Sequence, residues 1–186
     1  MVGLGNPGPE YAWSRHNAGW MMIDFYTGKN GLGAPHMKFS GAFWPASSFD
    51  GHRVLFLKPF TYMNLSGKSV AEAAKYYDVA SNDVLIVFDD AALPFGRLRY
   101  RQNGSAGGHN GMASILGGLG TLDVPRLRVG VGPPPPSADM RDWVLGKFPK
   151  EQRDRWSDVE DLAWSSLARW LDGASGEGFT VGIGEK

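Results

Sequence analysis

Between Gly3 and Asn17 the chain reads Gly-Leu-Gly-Asn-Pro-Gly-Pro-Glu-Tyr-Ala-Trp-Ser-Arg-His-Asn, a glycine turn followed by one histidine at the start of an apolar helical pattern. An imidazole, with an ordinary pKa near ~6.5, can take a proton from water at neutral pH, and a carboxylate beside it would orient the ring and stabilise its charged form. Two carboxylates, Asp89 and Asp90, close the apolar run Val84 to Phe88. Amides hold comparable places: Asn6 follows the first strand pattern, Asn64 stands in Tyr62-Met63-Asn64 after another, and His109-Asn110 opens a helix of small residues. Such amides can hold and polarise a carbonyl. A histidine near a carboxylate, ringed by amides, is a set suited to hydrolysis.

Gly3, Gly5 and Gly8 also satisfy G-x-G-x-x-G, the spacing that cradles a pyrophosphate at a helix N-terminus. Pro7 and Pro9 remove amide donors from that cradle, and Pro9 with Tyr11 to Arg15 delays the helix. Asp24, the acidic residue about 20 positions on, falls inside the next helical pattern instead of ending a second strand. Dinucleotide binding is therefore disfavoured. Among His16, His36, His52 and His109 there is no metal-like spacing and the chain has no cysteine, so neither a metal nor a cofactor is expected. No G-x-S-x-G marks a nucleophilic serine.

These residues need elements that bring them together, and the chain alternates strands with helices. A short strand is predicted over Met1 to Leu4 and a helix over Asn17 to Tyr26, with Trp20, Ile23 and Met21 or Met22 inward. A glycine-rich loop follows from Gly28 to Pro35. Phe43 to Phe49 and His52 to Leu57 read as a hairpin about Asp50-Gly51, where positive φ is tolerated. Lys58 to Leu65 reads as a loop, and Ser69-Val-Ala-Glu72 has capping-box spacing that opens a helix to about Tyr77. Val84 to Phe88 is apolar throughout, as a parallel strand buried on both faces should be. Arg97 to Arg101 alternates as a strand with one basic face, His109 to Leu119 is a helix, and Leu127 to Val131 is a strand. Pro133 to Pro136 is a stiff connector, a short helix covers Met140 to Leu145, and an amphipathic helix runs from Lys150 to Leu171. The pattern predicts an α/β fold, a single domain over residues 1–172 with three layers and a central mixed, mostly parallel twisted sheet, and a flexible tail over 173–186. In such sheets ligands sit beyond the carboxyl ends of the strands, so one crevice can collect Asn6, Asn64, Asp89 and His109.

A chain of 186 residues with 42% apolar content suits one sizeable core. Without cysteine it fits a reducing compartment, and without an apolar run of roughly 18 residues or a basic-then-apolar leader it is expected to be soluble and cytoplasmic, with no membrane partner. Its formal net charge of zero hides an asymmetry: residues 1–150 hold 15 basic and 11 acidic side chains, residues 151–186 hold 4 and 8. From Leu93 to Pro136 five arginines face one acid, Asp123. A basic main body admits a polyanionic partner, although a solvated strand face is the commoner reason for such a run.

Each feature has a plainer reading too. His16 could be a histidine bonded to backbone at a helix start, which for a lone histidine is the commoner case. Asp89 could cap a turn, and Asn6, Asn64 and Asn110 could each make the local side-chain turns usual beside Gly, Ser or Pro. Met63 is by type a core residue, and His109 could simply suit a tight turn into its helix.

Gly3-Leu-Gly-Asn-Pro-Gly8 with Tyr11 and Arg15-His-Asn17, Lys58-Pro-Phe-Thr-Tyr-Met-Asn-Leu-Ser-Gly67, Asp89-Asp90 with Leu93-Pro-Phe-Gly96, and Gly104-Ser-Ala-Gly-Gly-His-Asn-Gly111 together resemble the bacterial-type peptidyl-tRNA hydrolases. Arg126-Leu-Arg-Val-Gly-Val-Gly132 and Gly146-Lys-Phe148 are similar as well. The resemblance implies metal-independent cleavage of the ester joining a peptide to tRNA, which recycles the tRNA. By motif position it implies His16 as general base for water and Asp89 as its carboxylate partner. Asn6, Asn64 and Asn110 would place substrate and water, with His109 among the substrate-binding residues and Tyr11 and Met63 lining the cleft. Arg101 and Arg128 would clamp the terminal phosphate and acceptor stem of the tRNA. A monomer is expected.

Four departures stand out, one of them the unusually acidic C-terminal region. Ala91-Ala92 occupies a place where relatives usually carry Leu-Asp, with an expected effect on the loop after Asp89. The first strand begins abruptly at Met1-Val2, as either a short strand or a shifted start. Pro133 to Pro136 replaces a more varied loop. The rival expectation is a protein-binding relative of the fold that serves RNA splicing, in which an exposed apolar patch matters more than His16.

Overall fold

The computed structural model describes every residue except 50, 174, 175, 177, 185 and 186. Eight strands form one sheet in the order β2-β3-β4-β1-β5-β7-β6-β8. They are β1 (Val2–Gly3), β2 (His36–Lys38), β3 (Gly41–Phe49), β4 (His52–Pro59), β5 (Ile86–Asp90), β6 (Arg97–Arg101), β7 (Arg126–Gly130) and β8 (Gly178–Gly182). The centre is parallel, with β1 between β4 and β5 and β5 beside β7. Both flanks are antiparallel. The fold is thus a mixed-sheet α/β architecture, with helices on both faces.

Burial on β5 explains the layering. Leu85 and Val87 face a core shared with α1 (Ala18–Lys29) and α6 (Trp156–Leu171), through Met22, Ile23, Val159 and Leu167. Ile86 and Phe88 face the opposite core, shared with α2 (Ser66–Tyr77) and α3 (Asn110–Leu119) through Val70, Met112 and Ile115. A continuous apolar run is what a strand covered on both faces requires.

Most of the expected elements are present, and the differences have physical causes. Phe49 pairs with His52, so β3 and β4 do form a hairpin. Asp50 of the expected turn lies outside the described residues, while Gly51 has φ 82°. The helix expected to open at a Ser69 capping box begins three residues earlier. Ser69 is buried inside it, and its hydroxyl donates to the Phe39 carbonyl across the layer. The single helix expected from Lys150 is two: α5 (Lys150–Arg153) stops, and α6 restarts where Trp156 turns inward against Phe148, with ring centroids 5.0 Å apart. A short α4 (Met140–Leu145) lies where the sequence placed it.

The expectation of a flexible tail from Gly173 needs correction over residues 178–182. These form β8, antiparallel to β6, with Phe179 stacked on Tyr100 at 5.2 Å. Few apolar residues sit in this glycine-rich stretch, so periodicity is weak. The unpaired edge of β6 supplies the hydrogen-bonding partners that local sequence does not reveal. Consequently β6 is an interior strand. β2 was not anticipated either, being three exposed residues with no apolar pattern.

Candidate active site

The crevice forms where β1 and β5 end. Leu4 N–H donates to Val87 O at 2.9 Å, and Trp20 N–H donates to Leu4 O at 3.1 Å, so the chain leaving β1 returns over the end of β5 as α1 begins. Gly19 makes this approach possible: a Cβ there would lie 2.2 Å from Val87 O and 2.5 Å from Leu4 N. With α1 pressed this close, the 3-10 turn Arg15–Asn17 sets His16 above Asp89.

His16 Nδ1 lies 2.7 Å from Asp89 Oδ1, and His109 Nε2 lies 3.0 Å from the same oxygen. The two imidazoles are 5.0 Å apart between ring centroids, and His109 also packs against Phe88 at 4.7 Å. Asp89 is 3% exposed, so burial alone would raise its carboxyl pKa. His109 and then His16, each bonded to the carboxylate, outweigh burial and hold the carboxyl well below the usual carboxylate range. Asp89 is therefore an ionised acceptor at neutral pH.

The hydrogen-bond network assigns the tautomers. His109 precedes α3, and its Nδ1 accepts the Met112 backbone N–H at 3.2 Å, as an N-cap side chain does. Its proton therefore sits on Nε2 and is donated to Asp89. His16 likewise donates Nδ1–H to the carboxylate, which leaves the Nε2 lone pair of its neutral ring available as a base.

His16, Asp89 and His109 offer donor atoms within 4.8 Å of one another, a grouping that spacing along the chain did not signal. A metal on His109 Nε2 would force the proton onto Nδ1, against the Met112 N–H, so this set fits a hydrogen-bonded triad better than a metal centre.

The expected amides lie on segments that adjoin the triad in the chain or pack on it. Asn6 is buried, and its backbone is gripped on both sides by one side chain: Asn17 Oδ1 accepts Asn6 N–H at 2.8 Å, and Asn17 Nδ2 donates to Asn6 O at 3.1 Å. Among the described residues no hydrogen bond engages the Asn6 carboxamide itself. Asn17 was not among the expected site residues; its position beside His16 was the available signal. Met63 is buried against Leu4 and Gly111, where a Cβ would lie 2.5 Å from its sulfur, so glycine lets α3 approach the Met63–Leu65 turn. Asn64 and Asn110 expose their side chains beside it, and Tyr11 is half-exposed on the Pro9–Tyr11 turn. None of these three makes a hydrogen bond to the triad among the described residues. The loop after Asp89 is ordered without an acidic residue at 91 or 92, because Asp90 Oδ1 accepts the Ala92 N–H at 2.9 Å.

The arginines divide into two kinds. Arg126 is 3% exposed and donates to four carbonyls, those of Val124, Gly104, Ser105 and Leu122. Burial and then the charge of Arg128 lower its pKa. Arg128 is half-buried at the crevice edge, beside Phe88 in register, with Nε 2.9 Å from Asp90 Oδ2. Arg101 is exposed and donates to its neighbour's carbonyl at Tyr100, the one hydrogen bond of its side chain among the described residues. Register places Arg99 directly opposite Arg128, with Arg101 opposite Arg126. Arg99 thus joins the basic face, and the alternation of Arg97 to Arg101 had pointed to it.

A cavity of about 600 Å³ lies elsewhere, at the amino ends of β1 and β5 among Leu55, Val70, Ala74, Tyr77 and Val84, and no expected site residue lines it. Among the described residues no helix is long and apolar enough to cross a membrane.

The family model described as peptidyl-tRNA hydrolase matches residues 1–179. A peptidyl-tRNA hydrolase of Symbiobacterium thermophilum is 51% identical over 152 residues, covering 80% of this chain and 79% of that protein. One from Oceanobacillus iheyensis is 42% identical and covers 93% and 92%. The crystal structure of peptidyl-tRNA hydrolase from Acinetobacter baumannii superposes with a TM-score of 0.85 at 36% identity, covering 93% of this chain and 88% of that one. By sequence and by fold, the chain belongs to the bacterial peptidyl-tRNA hydrolase family.

Proposed function

We propose that this protein hydrolyses the ester between a peptide and the terminal ribose of tRNA, with His16 as general base. The supporting observation is the convergence of His16 Nδ1 and His109 Nε2 on Asp89 Oδ1, at 2.7 and 3.0 Å. His16 Nε2 takes a proton from water as the water oxygen bonds to the ester carbonyl carbon. Asp89 stabilises the imidazolium that results. Collapse of the tetrahedral adduct breaks the bond to the ribose oxygen, and the imidazolium returns its proton to that oxygen. Free peptide acid and tRNA leave. Asn6, Asn64 and Asn110 place the carbonyl and water, and Tyr11 and Met63 line the approach. An aminoacyl ester is an activated acyl group, so a positioned base and carbonyl donors suffice without a covalent nucleophile.

Arg128 and Arg101 contact the tRNA phosphates in this reading, with Arg99 beside them. Contacts to the backbone are salt-dependent and tolerant of sequence, as a substrate class of many tRNAs needs.

The test uses N-acetyl-aminoacyl-tRNA and unblocked aminoacyl-tRNA, with and without chelator. Release from the blocked substrate, insensitive to chelator and reduced about 10⁴-fold in kcat by His16→Ala with tRNA binding retained, is the expected result. Turnover retained in His16→Ala removes His16 as the base. No release by the parent protein removes the hydrolase reading.

A further inference from the structure

His16 stands between two residues that are tied in different directions. Asn17 grips the Asn6 backbone, as described. Arg15 is tied to the chain that follows β7. Its backbone N–H donates to Gly146 O at 3.0 Å, Phe148 N–H donates to Trp13 O at 3.0 Å, and Ser14 and Lys147 form an isolated antiparallel bridge. Its guanidinium lies 3.6 Å from the centroid of the Trp143 ring, and Nη1 donates to the Trp143 carbonyl at 3.2 Å. Trp143 is itself anchored, donating Nε1–H to Gly132 O at 2.8 Å.

Arg15 is 6% exposed, and among the described residues no carboxylate pairs with it. Burying a guanidinium is unfavourable, and here burial lowers its pKa. A π face and a carbonyl offset part of that cost. The planar guanidinium can stack on the indole and bond the same residue's carbonyl at once. The backbone bridge fixes where residues 14 and 15 run, and the stack adds a side-chain restraint one residue before His16.

Resting on the reading of His16 as base, we propose that Arg15 is a positioning residue whose stack on Trp143 sets the placement of His16, making α4 and residues 146–148 the outer buttress of the catalytic turn. A base displaced by about 1 Å can lose about 100-fold in rate, so this support is felt in kcat and leaves tRNA capture on the arginine face alone.

Arg15→Ala, Trp143→Leu and Trp143→Phe would be compared with the parent for kcat and KM on N-acetyl-aminoacyl-tRNA, at a temperature where circular dichroism finds each fully folded. Arg15→Ala and Trp143→Leu are expected to lower kcat about 10- to 100-fold at unchanged KM. Trp143→Phe keeps an aromatic face but gives up the Nε1–H bond to Gly132 O, and is expected to lose kcat only about 3-fold, less than Trp143→Leu. The Arg15→Ala, Trp143→Leu double variant should fall no further than the worse single variant. Parent-like kcat in Trp143→Leu, equal losses in the Phe and Leu variants, or a loss carried by KM would each overturn the proposal. If Arg15→Ala does not fold, the two Trp143 variants decide the matter. Failure here is separable from failure of the function: a parent that hydrolyses and a dead His16→Ala, beside intact buttress variants, reject the buttress alone.

Discussion

Two regions a few residues apart in register handle charge in opposite ways. In the crevice, Asp89 is buried and accepts from two imidazoles, one of them locked by a bond to the start of α3. On the neighbouring sheet face, Arg99 stands opposite Arg128 on adjacent strands, and Arg101 bonds a local carbonyl. Like charges placed opposite each other are unfavourable in isolation and become useful when an anion arrives. In the proposed reaction the crevice supplies position, which proton transfer needs, and the arginine face supplies charge, which capture of a polyanion needs. Arg126 stands apart from both, since its four carbonyl bonds make it a brace for residues 104–105 and 122–124.

The sharpest test of this division is Asp89→Asn. Replacing the ionised acceptor by a neutral amide removes the charge that stabilises the His16 imidazolium, and kcat is expected to fall about 10³-fold with tRNA affinity unchanged. A parallel loss of affinity would merge the two regions into one. Next comes Arg126→Ala, expected to destabilise the fold by about 3 kcal/mol, because it removes a buried side chain together with its bonds to four carbonyls, the buried one of Val124 among them. Denaturant titration measures this, and a weakened KM without loss of stability would move Arg126 into the clamp.

Arg128→Ala and Arg101→Ala should each raise KM about 10-fold and reduce the slope of log affinity against log salt by about 1, with kcat unchanged. If neither changes the slope, the phosphate clamp is not where it is placed. The smallest effect is in stability against pH. The folded pKa of Asp89 is depressed, so its contribution to stability is present above an unfolded value near ~3.9 and is lost as pH falls below that toward the folded pKa. The stability difference between the parent and Asp89→Asn should accordingly narrow as pH is lowered from about 5 to about 3. A difference that stays constant over this range would mean the carboxylate is not held as described.

Much of the molecule was legible because its signals are local. The apolar run before Asp89 announced a strand covered on both faces, Met140 to Leu145 announced a helix, and the Gly-Gly-His-Asn-Gly turn announced the start of α3. Errors came where a partner elsewhere overrode the local pattern. Ser69 has the spacing of a cap but spends its hydroxyl on Phe39, and the glycine-rich end of the chain pairs with β6 because that strand has an open edge.

The same distinction applies to the site. By itself the sequence determined which chemical groups are available, namely imidazole, carboxylate, amides and an arginine-rich alternation, since those are matters of residue type and order. Only the tertiary structure decided that His16 and His109 share one oxygen of Asp89, that Asn17 and Arg15 brace the turn from two sides, and that Arg99 faces Arg128 while Arg126 is consumed by carbonyls. Those facts depend on strand register and on how closely α1 and α3 approach the sheet. Both are set by packing between residues that lie tens of positions apart, which no local pattern encodes.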